Sequence, residues 1–200
     1  MPNTSFSPSI ESRPTYAGLV PQGSAPSIMI ADAEGAEAIM DLAERDAAVL
    51  DQAHLIYIPK GAKFGSKLAE LGAKGYHEEA SLDAAMALIN RLLGSAHMGT
   101  QLYLAGSEGM MGRVSALALS LGLPLDAIQM EHRGSIGRPM QCVHCKGVTQ
   151  DVTTDPFTCS HCGLTLFVRD HFSRRLGVFQ AVCVDAETPG VVPEIQEITA

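Results

Sequence analysis

The stretch QLYLAGSEGMMGRVSALALSLGLPLDAIQMEHRG, residues 101–134, decides the fold. QLYLAG (101–106) is a short apolar run bounded by small residues, which reads as a buried strand. The turn Gly106-Ser107-Glu108-Gly109 leads into SEGMMGRVSALALSLG, a helix with a glycine stop at Gly122. DAIQMEHR (126–133) reads as the next strand. A strand–helix–strand unit of this kind belongs to a parallel sheet covered by helices. The turn exposes backbone N–H groups at a helix start, which suits an anion or a nicotinamide cofactor, so Gly106, Ser107, Glu108 and Gly109 are candidate cofactor-binding residues. Glycine-rich turns also occur here for steric reasons alone.

The same alternation runs back towards the N-terminus. SIMIADA, from Ser27, reads as a strand, and EGAEAIMDLAERDAAVLDQA (34–53) as a helix with Ala38, Ile39, Leu42 and Val49 at helical spacing. HLIYIP (54–59) is a strand, GAKFGSKLAELGAKG carries a short helix ended by Gly72 or Gly75, and YHEEA adds a short strand. Ser81 caps the helix SLDAAMALINRLLGSA. Residues 27–134 thus form one α/β unit. Residues 1–26, rich in Ser, Pro and Thr, read as a flexible N-terminal arm in which RPTYAGLV (13–20) is a short strand or a docking segment.

Gly134 to Met140 reads as a boundary, and a cysteine module follows over residues 138–184. CVHC (142–145) and CSHC (159–162) stand thirteen residues apart. Each CxxC places two thiolates on one tight turn, and two facing turns make a tetrahedral cage, with Gly147 and Gly163 letting the backbone turn so that its N–H groups point at sulfur. Cys142, Cys145, Cys159 and Cys162 are therefore the candidate metal ligands. Zinc fits, and iron in a rubredoxin-like cage is the alternative; zinc has no redox chemistry, whereas iron carries an electron. A module this small cannot fold on its apolar core alone, so the ion supplies much of its stability. The intervening KGVTQDVTTDPFT fits a hairpin with its turn at Asp155-Pro156, and LTLFVRD (164–170) is an alternating strand. His144 and His161 read as solvent-facing residues of the turns, Cys183 as a core cysteine, and Met110 and Met111 as core filler. Residues 185–200 form an acidic tail.

The fold class expected is α/β, a parallel-sheet unit plus a small β zinc-ribbon or rubredoxin-like module. The chain is 46% hydrophobic and 18% charged, as a packed globular protein requires, and its net charge of −8 argues against a binder of nucleic acid. No apolar run approaches the length of a membrane span, and the N-terminus lacks a secretory pattern, so a cytoplasmic location is expected. No catalytic set is legible; His54, His77 and His97 read as structural or surface residues. Arg169, His171, Arg174 and Arg175, in RDHFSRR, are candidate partner-binding residues for an acidic face or a carboxylate such as a haem propionate. The opposing view is a solvated strand edge with internal Arg–Asp pairing.

Residues 101–134 resemble the last strand–helix–strand of ferredoxin–NADP⁺ reductase nucleotide domains. The residues carrying the likeness are Ala105-Gly106-Ser107, Met110 or Met111, Gly122-Leu123-Pro124 and Glu131, with SIMIADAEGAEAIMDL similar to the first strand and glycine turn. The family's Gly-Gly-x-Gly is reduced to Ala33-Glu34-Gly35, with the acid Glu34 where pyrophosphate would lie, and about 26 residues precede the unit in place of a flavin-binding barrel. The resemblance implies a scaffold reused for assembly, with NADPH held elsewhere. Taken whole, and most sharply in CVHCKG and TCSHCGLTLFVRDHFSRRLGVFQAVCVDAE, the chain resembles the small accessory subunits of bacterial dimethylamine monooxygenases. That resemblance implies a non-catalytic subunit of an NADPH-dependent haem oxygenase converting dimethylamine to methylamine and formaldehyde. Its partners would be a haem subunit and a flavin and iron–sulfur reductase subunit, with no nucleic acid and no membrane. An iron electron carrier in the same complex and a stand-alone zinc-ribbon binder remain the alternatives.

Overall fold

In the computed structural model, which describes residues 12–198, SIMIAD forms β1 (Ser27–Asp32), buried along its whole length. A strand with no exposed face must be covered on both sides, as in parallel sheets. The chain then alternates through α1 (Gly35–Arg45), β2 (Ala53–Ile58), α2 (Gly65–Glu70), β3 (Gly75–Glu78), α3 (Leu82–Gly94), β4 (Gln101–Gly106), α4 (Glu108–Ser120) and β5 (Ile128–His132). All five strands are parallel in the order β3-β2-β1-β4-β5. This is a doubly wound order whose direction reverses between β1 and β4, where ligands of such folds bind. Met29, Ala31, Leu55 and Tyr57 face α1 and α2, while Ile28, Ile30, Ile56 and Leu104 face α3 and α4. Met110 and Met111 are buried in that second layer.

The helix expected over 34–53 is broken. Asp46 is extended (φ −157°), and its carboxylate accepts an N–H from Ala48 at 3.1 Å, starting a separate 3-10 turn over Ala47–Leu50. Asp competes with helical hydrogen bonding in this way. Ser81 does cap α3, accepting from the Ala84 N–H at 3.2 Å.

The N-terminal segment is fixed from Arg13 onward instead of forming a mobile arm. It makes no strand, but it runs beside β5: the Gly18 N–H donates to Met130 O (3.3 Å), Leu19 N–H to Glu131 Oε2 (3.0 Å) and Val20 N–H to Gln129 Oε1 (2.7 Å). Burial of the Leu19 side chain holds it there. The rest of the expected arm, residues 1–11, lies outside the described residues.

A second sheet contains β6 (Arg138–Cys142), β7 (Val148–Val152), β9 (Phe157–Thr158), β10 (Thr165–Ser173) and β11 (Val178–Cys183), in the order β7-β6-β11-β10-β9. The short β8 (Thr154–Asp155) pairs with β12 (Gln196–Glu197), and Ile198 is buried, so the acidic tail is anchored on the module at residues 196–198. The residues between the two CxxC turns do not pair with one another as expected. β7 returns on β6 and β9 pairs with β10, so each CxxC is the tip of its own hairpin. No helix of the described residues is long and apolar enough to cross a membrane.

Candidate metal centre and the joint beside it

The two hairpin tips are built alike. Four residues after the first cysteine of each pair, the backbone turns left-handed, at Lys146 (φ 62°) and at Gly163 (φ 76°). Lys146 N–H donates to Cys142 O, and Gly163 N–H to Cys159 O, at 3.0 Å each. Lys146, and not Gly147, therefore takes the conformation that favours glycine. Gly147 is required for another reason: a Cβ there would come within 2.5 Å of the His161 ring, whose Nε2 is 3.0 Å from Val148 O. The Gly147 N–H points at Cys145 Sγ (3.4 Å), as a thiolate acceptor requires.

The tips face each other and bring all four Sγ atoms within 4.8 Å of one another. Cys142 to Cys162 and Cys145 to Cys159 are each 3.8 Å apart. A tetrahedron with metal–sulfur bonds of about 2.3 Å has edges of about 3.8 Å, so the thiols fit one ion. Cys142 and Cys159 are buried, while Cys145 and Cys162 lie towards the surface. Burial pushes the Cys159 thiol up, but N–H groups of Cys162 and His161 and the neighbouring thiols outweigh it and hold Cys159 down at about 6. Cys162 is pushed up to about 12: the Leu164 N–H lowers it, but burial and its three thiol neighbours prevail. Four thiols that cannot all ionise beside one another become a stable set once a cation neutralises them. Four sulfur donors suit zinc or iron. Neither His144 nor His161 joins the cluster. Cys183 is half-buried, with Sγ 3.0 Å from Asp185 Oδ1.

The turn Gly106–Gly109 is engaged internally. The fully buried Asp32, at the end of β1, accepts the Ser107 N–H at Oδ1 (2.7 Å) and the Ser107 hydroxyl at Oδ2, which also lies 2.8 Å from Lys60 Nζ. Gly106 (φ 129°) is obligatory, since a Cβ would meet Asp32 Oδ1 at 1.9 Å. Ser107 caps α4 through the Met110 N–H (3.5 Å). The chain's own carboxylate Asp32 thus supplies negative charge at the positive end of this helix, where a phosphate would otherwise bind.

Glu108 points into a joint between the two sheets. Its Oε1 accepts from Tyr16 OH at 2.9 Å, and its Oε2 lies 3.5 Å from Arg138 Nε without a hydrogen bond. Arg138 in turn donates to Asp170 Oδ1 (2.9 Å), which also takes Arg13. The Arg138 and Arg13 guanidiniums stand 5.5 and 5.9 Å from the Phe179 ring centre. Burial raises the Glu108 carboxyl, with the Tyr16 hydroxyl and the arginines opposing, and burial first of all lowers Arg138. The backbones also touch: a Cβ on Gly112 of α4 would lie 2.4 Å from Gly177 O, and one on Gly177 would lie 2.3 Å from Gly112 O. Sequence reasoning missed this joint. Its one signal is the recurrence of glycine along one face of α4, at Gly109 and Gly112.

The four candidate partner-binding residues, Arg169, His171, Arg174 and Arg175, are all exposed on the β10–β11 hairpin.

Comparison with known families assigns both parts of the chain. Residues 8–128 match the family described as dimethylamine monooxygenase subunit DmmA-like, N-terminal domain, and residues 139–182 match its C-terminal domain. The chain belongs to the DmmA-like family. The joint ties the two DmmA-like segments together, with Tyr16 and Glu108 in the first and Asp170 in the second. A curated relative, the heme-dependent oxidative N-demethylase delta subunit of Ectopseudomonas mendocina (strain ymp), is 38% identical over 108 residues. The match spans 53% of this chain and 62% of the relative's length. Among solved structures, the flavohem-like FAD/NAD-binding domain of nitric oxide dioxygenase from Vibrio cholerae O1 biovar El Tor aligns with 21% identity and a TM-score of 0.41. That alignment covers 58% of this chain and 54% of the other.

Proposed function

We propose that this DmmA-like chain is a non-catalytic, zinc-containing subunit of a cytoplasmic haem-dependent oxidative N-demethylase, with dimethylamine as substrate and methylamine and formaldehyde as products. The observation that carries the reading is the family match over both segments, together with a relative named as the delta subunit of such an enzyme. The chemistry of the site supports a structural role. An ion held by Cys142, Cys145, Cys159 and Cys162 has no open position for oxygen or amine, which is the hallmark of a structural zinc site. The zinc ribbon is the unit over 138–184, and the α/β unit over 27–134 is the scaffold it docks on. Gly106, Ser107, Glu108 and Gly109 form a turn that serves the fold and the joint and not a dinucleotide, because the Ser107 N–H and hydroxyl go to Asp32 and the Glu108 carboxylate faces Tyr16 and Arg138. NADPH, flavin and iron–sulfur chemistry then belong to a reductase subunit, and haem to an oxygenase subunit.

The test is co-expression with the haem and reductase subunits, followed by metal quantification and dimethylamine turnover. The expected result is one zinc per chain, co-elution with the haem subunit, and loss of activity or of complex when this chain is omitted. Full activity and a complete complex without it would sink the proposal. The sulfur geometry equally admits iron; a coloured protein with bound iron and thiolate charge-transfer absorption would convert the reading to an electron-carrying subunit.

A further inference from the structure

Within an acidic chain of net charge −8, Arg169, His171, Arg174 and Arg175 fall within seven consecutive residues, and all four are exposed. The acid among them, Asp170, faces the other way and is taken by Arg138 and Arg13. Among the described residues, no carboxylate lies within ion-pair distance of the four basic side chains.

The hairpin is held in place. Leu176 and Gly177 N–H groups donate to Ser173 O at 3.1 and 2.8 Å, closing the tip, and the tip is pressed onto α4 at Gly112. Beside it lies a cavity of about 200 Å³ between the N-terminal segment, α4, β5 and the hairpin. Tyr16, Ser115, Met130 and Phe172 line it, and Arg174 stands among them. A pocket with an apolar floor beside an arginine on an ordered backbone is the arrangement that binding hot spots use.

We propose that the tip of the β10–β11 hairpin, around Arg174 and Arg175, docks on an acidic surface of the haem-bearing subunit. A carboxylate of the partner pairs with Arg174, and an adjacent apolar side chain enters the cavity. The proposal rests on the assembly reading above and names the surface that carries it. A protein partner fits better than nucleic acid, because the whole-chain charge repels a polyanion while the local patch attracts a localised acidic face. Pre-ordering of the tip lowers the cost of binding.

The experiment measures binding of the full-length, zinc-loaded chain to the purified haem subunit at low and moderate salt. Three proteins are compared: wild type, the triple variant Arg169→Glu/Arg174→Glu/Arg175→Glu, and a control, Lys63→Glu/Lys67→Glu/Lys74→Glu, with the same charge change at exposed sites around α2. The hairpin variant is expected to bind at least about tenfold more weakly and to lose most of the salt dependence, with the control close to wild type. Unchanged zinc content and melting temperature verify that it folds. If the hairpin variant binds as tightly as wild type, the hairpin proposal is overturned while the assembly reading stands. If wild type binds no demethylase subunit, both fall. If instead the chain binds duplex DNA and the triple variant abolishes it, the face belongs to nucleic acid and the proposal is overturned.

Discussion

The parallel sheet buries both of its faces, with Met29, Leu55 and Tyr57 on one side and Ile30, Ile56 and Leu104 on the other, each packed under helices. The second sheet has no helical cover of its own on most of β10, whose residues are largely half-exposed, and its core is reduced to Met140, Val152, Phe157, Leu166, Phe179, Ala181 and Ile198 beside two cysteines. Two of the candidate metal ligands, Cys142 and Cys159, are themselves members of that core. The difference teaches how one chain solves the same problem twice. Where enough apolar surface exists, burial does the work; where it does not, four thiols placed to share a cation and contact with the first sheet's helices supplement it. The joint at Glu108, Arg138 and Gly112 is where the weaker region leans on the stronger.

Removing the ion is the most severe way to test this. Structural zinc in small modules contributes about 10–16 kcal/mol at neutral pH, far more than a small core can replace. Chelation, or Cys159→Ser with Cys162→Ser, is expected to abolish amide exchange protection over 138–183 while β1, β2 and β4 remain protected. If both sheets lose protection together, the two regions are not energetically distinct.

The joint comes next. Arg138→Met takes away the cation 3.5 Å from buried Glu108 and leaves only the weaker pull of Arg13, and breaking such a pair costs about 3–5 kcal/mol. The double variant Glu108→Leu/Arg138→Met removes both charges and is expected to recover much of the loss in urea unfolding, which would show that the ion pair orients the two regions more than it stabilises them. A smaller effect, about 2–3 kcal/mol, is expected for Gly112→Ala or Gly177→Ala, because each new Cβ lies under 2.5 Å from a backbone carbonyl that cannot move aside alone. Gly122→Ala is the control: it has positive φ but no heavy atom within 4 Å, so it reads backbone strain without the joint, at about 1 kcal/mol. Gly177 shares the positive φ of Gly122 and adds the contact, so equal losses at Gly177 and Gly122 would mean that the contact between the regions is unimportant.

Much of this was legible from residue order. The strand-and-helix alternation over 27–134 follows from short apolar runs separated by small-residue turns, and QLYLAG forms a strand over the span read for it. The four cysteines converge because their spacing places each pair on a hairpin tip. What the residue pattern hid was long-range. KGVTQDVTTDPFT looks like a hairpin because nothing local says that β7 will pair backwards onto β6 while β9 pairs forwards with β10. Glu108 looks like an ordinary acid in the first turn of a helix, and Asp170 like a surface partner for Arg169, until the second sheet brings Arg138 between them. The helix read through Asp46 failed for a local reason, a side chain that out-competes the backbone.

The smallest effect expected at the joint is a pH dependence through His132. This residue ends β5, is fully buried, stacks near Tyr16 at 5.9 Å between ring centres, and has Nε2 3.0 Å from Ser135 O. Burial pushes its pKa below the usual 6.5; the Ser135 carbonyl and Asp32 pull it up, and Arg13 and Arg138 add to the depression. The folded state therefore holds His132 neutral, while the unfolded chain protonates it near pH 6.5. Its contribution is fully present above that pH and is lost as the pH falls from about 6.5 towards the folded value, with a slope of at most about 1.4 kcal/mol per pH unit. The raised carboxyl of Glu108 works in the opposite direction, since its protonation favours the folded state as pH falls. The two are separated by comparing urea midpoints at several pH values between 8 and 5 for wild type and His132→Asn. The variant should flatten the descent below pH 6.5 and leave any Glu108 term in place. An unchanged descent would mean that the imidazole accommodates its proton inside the joint, and that the junction between the two sheets is more polar and better hydrated than its burial implies.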